Sequence, residues 1–185
     1  MQKKKLSGFA IAGLILAGLC FISCLGVGLL LKFSPQIYQA SLDNSSLQVG
    51  AAAPDFELAA LRGGTVRLSQ YRGSPVLLTV GASWCPDCVH EAPLLEQLHG
   101  SHPQLVILDI DVKEPQPVVQ RYVEQYGLTY PVLLDFNGDV NSKYQIIAIP
   151  TELFIDKDGI VRAKIVEAVT PELLAQNLPL IGVQP

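Results

Sequence analysis

The chain has 185 residues, 49% of them hydrophobic, with 13 basic and 17 acidic side chains and a net charge of −4. That length holds one ordinary domain plus an appendage. The acidic balance excludes a nucleic-acid binder, which needs a basic face, and no internal repeat or low-complexity tract is present.

The appendage comes first. Met1-Gln-Lys-Lys-Lys5 precedes an uncharged run from Leu6 to Leu31, closed by Lys32. At about 1.5 Å per residue this run exceeds a hydrocarbon core of roughly 30 Å, so it predicts one tilted transmembrane helix. The lysines before it predict a cytoplasmic N-terminus and an extracytoplasmic remainder. A cleaved signal peptide would show an apolar region of only about 7–15 residues and an A-x-A-like site. Neither is present, although Phe21-Ile-Ser-Cys24 faintly resembles a lipoprotein cleavage site. Cys20 and Cys24 fall one helical turn apart inside the span and read as small hydrophobes. The division expected is a cytoplasmic terminus at 1–5, an anchor at 6–31, a polar tether at 32–48 and a folded domain at 49–185. Without Lys3, Lys4, Lys5 and Lys32 the exported part keeps nine basic residues against 17 acidic ones, a net −8.

Within the domain, residues 55–58 ("DFEL") and 65–68 ("TVRL") alternate around Arg62-Gly-Gly64 and predict a small hairpin. Val76 to Val80 is a continuous apolar run, the mark of a strand covered on both faces. Ala92, Leu94, Leu95 and Leu98 recur at helical spacing as far as Gly100. Leu105 to Ile110 predicts a second buried strand. Pro117 to Tyr126 predicts a helix with Val118, Val119, Tyr122 and Val123 on one side and Gly127 as its stop. "YPVLLD" (Tyr130–Asp135) and "TELFID" (Thr151–Asp156) predict strands. Asp156-Lys-Asp-Gly159 is a hairpin turn into Ile160–Val166. Thr170 caps a closing helix that starts at Pro171. Strands alternating with helices and ending in a hairpin predict an α/β fold, a mixed central sheet flanked by helices.

The chemistry centres on "GASWCPDCVHEAP" (Gly81–Pro93), where Cys85 and Cys88 form a C-x-x-C. Such a pair serves a metal, a structural disulfide or a redox centre. With His99 and His102 it gives C-x2-C-x10-H-x2-H, too short in both intervals for a zinc finger; the two histidines read as surface residues ending a helix. A disulfide across three residues closes a very small loop and stabilises little. The redox reading gains from position, because a buried strand ends and a helix begins here. Cys85 then meets the positive end of the helix dipole and spare N–H groups that favour its thiolate, which makes it the expected exposed thiol. Pro86 suits the first turn. Cys88, one turn inside, is placed to resolve a mixed disulfide, and Trp84 is expected to shield the site. Cys88 and Glu91 share a helical face at i and i+3; a partly buried Glu91 can exchange a proton with the deeper thiol, and a solvated helix acid is the other reading. His90 turns away.

These segments, together with "GAAAPDFEL", "VRLSQYRGSPVLLTVGASWCPDC", "YPVLLD" and "IPTELFIDKDG", resemble the membrane-anchored thioredoxin-like thiol-disulfide oxidoreductases, the group including the TlpA, ResA and CcmG types, from about Val49 to the C-terminus. The resemblance implies a thioredoxin-like fold with an N-terminal hairpin and a central strand insertion. It implies Cys85 and Cys88 as the redox-active disulfide and Glu91 as a catalytic carboxylate. It makes Pro150 the family's cis-proline, with Ile149 and Thr151 as candidate client contacts beside Trp84 and Pro86. No cofactor and no metal is implied. The partners implied are thiols and disulfides of exported proteins, apocytochrome c being the favoured client, and a membrane electron donor. Two departures stand out. Thr79 occupies the place of a buried Asp in many thioredoxins, which leaves Glu91 as the expected sole nearby acid. Gly81 replaces an aromatic, with a wider groove or looser packing as the consequence. The rivals are a peroxiredoxin, whose opening is also similar to "GAAAPDFEL" but whose reactive Cys follows a Thr where Ser83 and Trp84 stand, and a copper-delivery domain of the Sco type, which uses C-x-x-x-C and a distant His.

Overall fold

The computed structural model describes residues 47–184. The anchor expected at 6–31, the terminus before it and nearly all of the tether lie outside the described residues. Among the described residues no helix is long and apolar enough to cross a membrane.

Seven strands form one mixed sheet. In chain order the elements are β1 (Glu57–Ala60), β2 (Thr65–Arg67), β3 (Val76–Gly81), α1 (Pro86–Ser101), β4 (Val106–Val112), α2 (Gln116–Tyr126), β5 (Val132–Asp135), α3 (Asp139–Lys143), β6 (Thr151–Ile155), β7 (Val161–Ile165) and α4 (Pro171–Asn177), with single 3₁₀ turns at Leu68–Tyr71 and Leu178–Ile181. The sheet order is β2-β1-β5-β4-β3-β6-β7. The β1–β2 hairpin turns through Gly63 and Gly64, both at positive φ that a side chain would resist. β3, β4 and β5 run parallel at the centre, while β6 and β7 close one edge antiparallel.

The expected elements recur with differences. The first hairpin strand lies two residues later than 55–58, because its register with β2 pairs Glu57↔Arg67 through Ala59↔Thr65. β4 continues to Val112, because its parallel pairing with β3 reaches Gly81↔Asp111 and that with β5 reaches Val112↔Asp135. The short helix α3 has no counterpart in the sequence reading. Its start is held by Asp135 on β5, whose carboxylate accepts from the N–H groups of Asp139 and Asn141, each at 2.9 Å. A cap supplied from the preceding strand leaves no local signature in "FNGD". The closing helix α4 behaves as expected, with Thr170 Oγ1 accepting from Leu173 N–H at 3.3 Å.

Successive residues of a strand face opposite ways, and this period sorts the centre of the sheet. Leu78, Val80, Leu108, Ile110, Leu153 and Ile155 turn to one apolar face, covered by Phe56, Val140 and Tyr144. Leu77, Ile107 and Phe154 turn to the other and meet Ala92, Leu95 and Leu98 of α1 with Val119 and Val123 of α2. Further toward the C-terminal ends of β3 and β4 that second face stops being apolar. The register row Glu152–Thr79–Asp109 crosses three strands there, and Asp111 stands beside Gly81 in the next row.

Candidate active site

The strand β3 delivers the chain into Ala82-Ser-Trp-Cys85 and α1 starts immediately afterwards. Cys85 is the N-cap, in extended conformation, and its Sγ accepts from Cys88 N–H at 3.3 Å. The cysteine therefore takes the place usually filled by Ser or Asp at a helix start. Pro86 occupies the first turn, where its missing N–H costs nothing. Cys85 and Cys88 are joined as a disulfide with their Cα atoms 5.3 Å apart. The expectation of an exposed Cys85 is corrected: Cys85 is 4% and Cys88 6% exposed. Exposure does not distinguish them; position in the helix does.

Ile149 and Pro150 are joined by a cis peptide bond, and the Ile149 carbonyl oxygen lies 3.7 Å from Cys85 Sγ. The loop thus faces the disulfide, and its proline is cis as the resemblance implied. Thr151 belongs to the sheet instead. The residue is fully buried and its hydroxyl donates to the Ala148 carbonyl at 2.7 Å. Trp84 is 67% exposed and does not cover the disulfide. It walls a surface cleft of about 360 Å³ with Val112, Lys113, Asn141, Ile146, Ile147 and Ile149, the last of which reaches toward Cys85 through its carbonyl. Pro86 and His90 are exposed on the outer side of the helix start.

Glu91 is 2% exposed, which settles its choice between solvated and buried. Its Oε2 accepts from Val169 N–H at 2.8 Å. Burial is the main influence that raises its pKa to about 7, so it titrates where a thiol-exchange step needs a proton acceptor. His99 and His102 stand at the end of α1, but both are half-buried rather than the surface residues expected. The His99 ring packs edge-on to Tyr130, and the His102 ring reaches the Gln184 carbonyl.

Glu91 is not the only acid near the cysteines. Thr79 lacks a carboxyl, but its hydroxyl donates at 2.6 Å to Glu152, its cross-strand partner. Asp109 and Asp111 are also buried, and burial raises them to about 7 and about 9 respectively. Beyond them Glu114, buried at the start of the next loop, accepts from Ser83 N–H at 2.5 Å and Ser83 Oγ at 2.8 Å, tying β4 to the turn that carries Trp84 and Cys85. Thr79, Gly81, Cys88, Glu91, Asp109 and Asp111 line a small internal cavity with about 10 Å³ open to the centre of a water molecule, the size of a single water site. Gly81 borders this cavity rather than the outer groove; a Cβ there would stand 3.2 Å from Cys88 Sγ. The sequence did carry a signal for these acids: "DID" puts Asp109 and Asp111 on one side of a strand otherwise apolar, and Glu152 interrupts "TELFI". Among the described residues no group of three His, Cys, Asp or Glu side chains is arranged to hold a metal ion.

The family model described as the AhpC/TSA family matches residues 49–164. The thiol-disulfide oxidoreductase ResA of Geobacillus kaustophilus is 35% identical over 141 residues, which cover 75% of this chain and 81% of that one. ResA of Bacillus anthracis is 32% identical over 75% of this chain and 82% of its own. Among solved structures, one described as a thiol:disulfide interchange protein DsbE from Chlorobium tepidum superposes with a TM-score of 0.69 at 27% identity, over 74% of this chain and all of the other. The match over residues 49–164 and the identity to these relatives show that the chain belongs to the AhpC/TSA family as a thioredoxin-like thiol-disulfide oxidoreductase of the ResA and DsbE kind.

Proposed function

We propose that the protein is a membrane-tethered reductant of disulfides in exported proteins. The observation that carries this reading is Cys85 at the N-cap of α1, bonded to Cys88 and facing the Ile149 carbonyl above the buried Glu91. In the reduced protein the Cys85 thiolate, favoured by the helix start, attacks a client disulfide and forms a mixed disulfide. Glu91 accepts the Cys88 proton. The Cys88 thiolate then attacks Cys85 Sγ, closes the Cys85–Cys88 bond and expels the client thiolate with its electron pair. Trp84, Ile149 and the Pro150 loop form the wall against which the client strand lies.

The tether is the uncharged run Leu6–Leu31 between lysines, and it supports a cell-membrane location with the catalytic domain outside. A dithiol in an oxidising compartment must be recharged, and an anchor keeps it beside a membrane electron donor. Asp87, acidic in the first turn of α1, opposes the thiolate that the helix start favours. This supports a potential nearer about −250 mV than about −120 mV. Apocytochrome c, whose haem-binding cysteines must be reduced, is the client this reading favours.

The test is reduction of insulin disulfides by the full chain in vesicles, run beside peroxide turnover and copper retention. Insulin reduction that disappears in Cys85→Ser supports the reading. Peroxide turnover alone, copper retention alone, or a potential as high as that of a dedicated disulfide donor overturns it. Clients trapped by Cys88→Ala in cells identify the substrate.

A further inference from the structure

Glu152 is fully buried on β6, far in sequence from the cysteines and one strand away from β3. Its Oε1 accepts from the Thr79 hydroxyl at 2.6 Å, while its Oε2 has no donor as long as both it and its neighbours are carboxylates. The side chains of Glu91 and Glu152 are within hydrogen-bonding reach of each other, and the Glu152 oxygen not taken by Thr79 is the one without a partner. Two carboxylates repel and cannot hydrogen-bond; a carboxylic acid and a carboxylate can, and the bond is a strong, charge-assisted one. One proton between them supplies the missing donor and removes one of two buried charges. Both costs are large enough to decide the matter, since an unpaired buried charge neutralises rather than persists.

We propose that Glu152 is a positioning residue for disulfide exchange: it keeps a proton and through it donates a hydrogen bond to Glu91, holding Glu91 as the carboxylate that takes the Cys88 proton. The proposal rests on the reading of Cys88 as the resolving thiol. The electrostatics agree with the geometry. Burial first, then the Glu91 charge, pushes Glu152 well above the carboxylate range, and its hydrogen bond lowers Glu91 against the effect of burial. The groups facing the pair are Cys88 and Asp87 on α1, Thr79 on β3, Asp109 and Asp111 on β4, Tyr122 on α2 and Tyr130 before β5. All are acids, phenols, a thiol or a hydroxyl. Burial raises the two phenols above their ordinary range as well, so neither competes for the role of proton acceptor. In the exchange step the proton passes from Cys88 Sγ to Glu91, the Cys85–client bond breaks as the Cys85–Cys88 bond forms, and the departing client thiolate is protonated by water. Glu152 keeps its proton throughout.

The full chain in detergent micelles, labelled with ¹³C at the glutamate side-chain carboxyls, tests this directly. The Glu152 resonance, identified by its loss in Glu152→Gln, is expected to remain that of a protonated acid at neutral pH. Glu152→Leu removes the donor and is expected to raise the Glu91 midpoint by about one pH unit, the scale of a lost hydrogen bond to a charged group. Release of the mixed disulfide at about pH 7 then slows roughly fivefold, as the ionised fraction of Glu91 falls from about a half to about a tenth. Glu152→Gln, which offers an N–H to Glu91 and a carbonyl to Thr79, restores the Glu91 midpoint. A Glu152 resonance that titrates in the ordinary carboxylate range overturns the proposal, even if Glu152→Leu fails to fold. So does an unmoved Glu91 midpoint in folded Glu152→Leu. Failure of Cys88→Ser to accumulate the mixed disulfide sinks the underlying assignment instead, and the Glu152 resonance reports on the acid pair separately.

Discussion

On one face of the central strands Leu78, Val80, Leu108, Ile110, Leu153 and Ile155 pack into one hydrophobic cluster. On the other face the same strands present Leu77, Ile107 and Phe154 toward one end and Thr79, Asp109, Asp111 and Glu152 toward the end that supports the cysteines. Both regions are buried and both are regular sheet. The apolar face gains stability with every side chain, at about 25 cal/mol per Å² of apolar surface removed from water. The acid end loses stability wherever a carboxyl must ionise. A fold selected for stability alone would carry aliphatics in both places. Burial of four polar side chains at the acid end costs stability that the apolar packing must offset, as expected if that end serves the proposed proton chemistry at Cys88.

Substitutions that act on one region and spare the other sharpen this contrast. The largest expected effect is that of Cys85→Ser, which abolishes turnover of a disulfide substrate while the urea midpoint of the variant stays close to that of the reduced wild type. A midpoint that collapses with the activity would show the two regions to be one. Leu78→Ala acts in the opposite sense. Removing a fully buried leucine from the apolar face should cost about 2–5 kcal/mol in a denaturation experiment, with reduction per folded molecule unaltered at low temperature.

Glu91→Gln keeps shape but removes the titrating carboxyl. Attack by Cys85 should persist while release through Cys88 slows by about 10²-fold at neutral pH, the lower range of general-base catalysis. An unchanged pH–rate profile, followed by quenched-flow gel analysis, would return Glu91 to a purely structural role.

The acid end should also give stability an unusual pH dependence. Glu91 and Asp109 titrate at about 7 and Asp111 at about 9 in the folded protein, all raised by burial. In the unfolded chain such groups release their protons near pH 4. The folded state binds more protons between those limits, so this contribution is complete below about pH 4 and is lost as pH rises through about 7 and on to about 9. Urea midpoints should therefore decline from about pH 5 to about pH 9, and Asp109→Asn should flatten the decline by removing one of the titrating groups. The smallest effect on stability is expected at Trp84, which is mostly exposed. Trp84→Ala should move stability by less than about 0.5 kcal/mol yet raise KM for a peptide disulfide, if the cleft that Trp84 walls is the proposed client site.

The strand-to-helix turn at Cys85, the two hairpins and the Thr170 cap were legible because each depends on neighbours within a few residues. Turn glycines, an N-cap, a proline at the first helical position and an unbroken apolar strand are local devices, and the chemistry of C-x-x-C follows from its place among them. The buried acids depend on registry. Glu152 meets Thr79 across 73 residues of chain, and Ser83 meets Glu114 across 31. Whether a carboxyl on a strand faces solvent or the sulfurs is decided by which strand pairs with which and in what register, since a slip of one residue turns it to the opposite face. Local sequence was enough to place the two cysteines at the start of a helix that follows a buried strand. Only the tertiary structure decided that Glu91 has acid neighbours, because burial, which sets their protonation, is a property of the assembled sheet and helices and not of any segment of the chain.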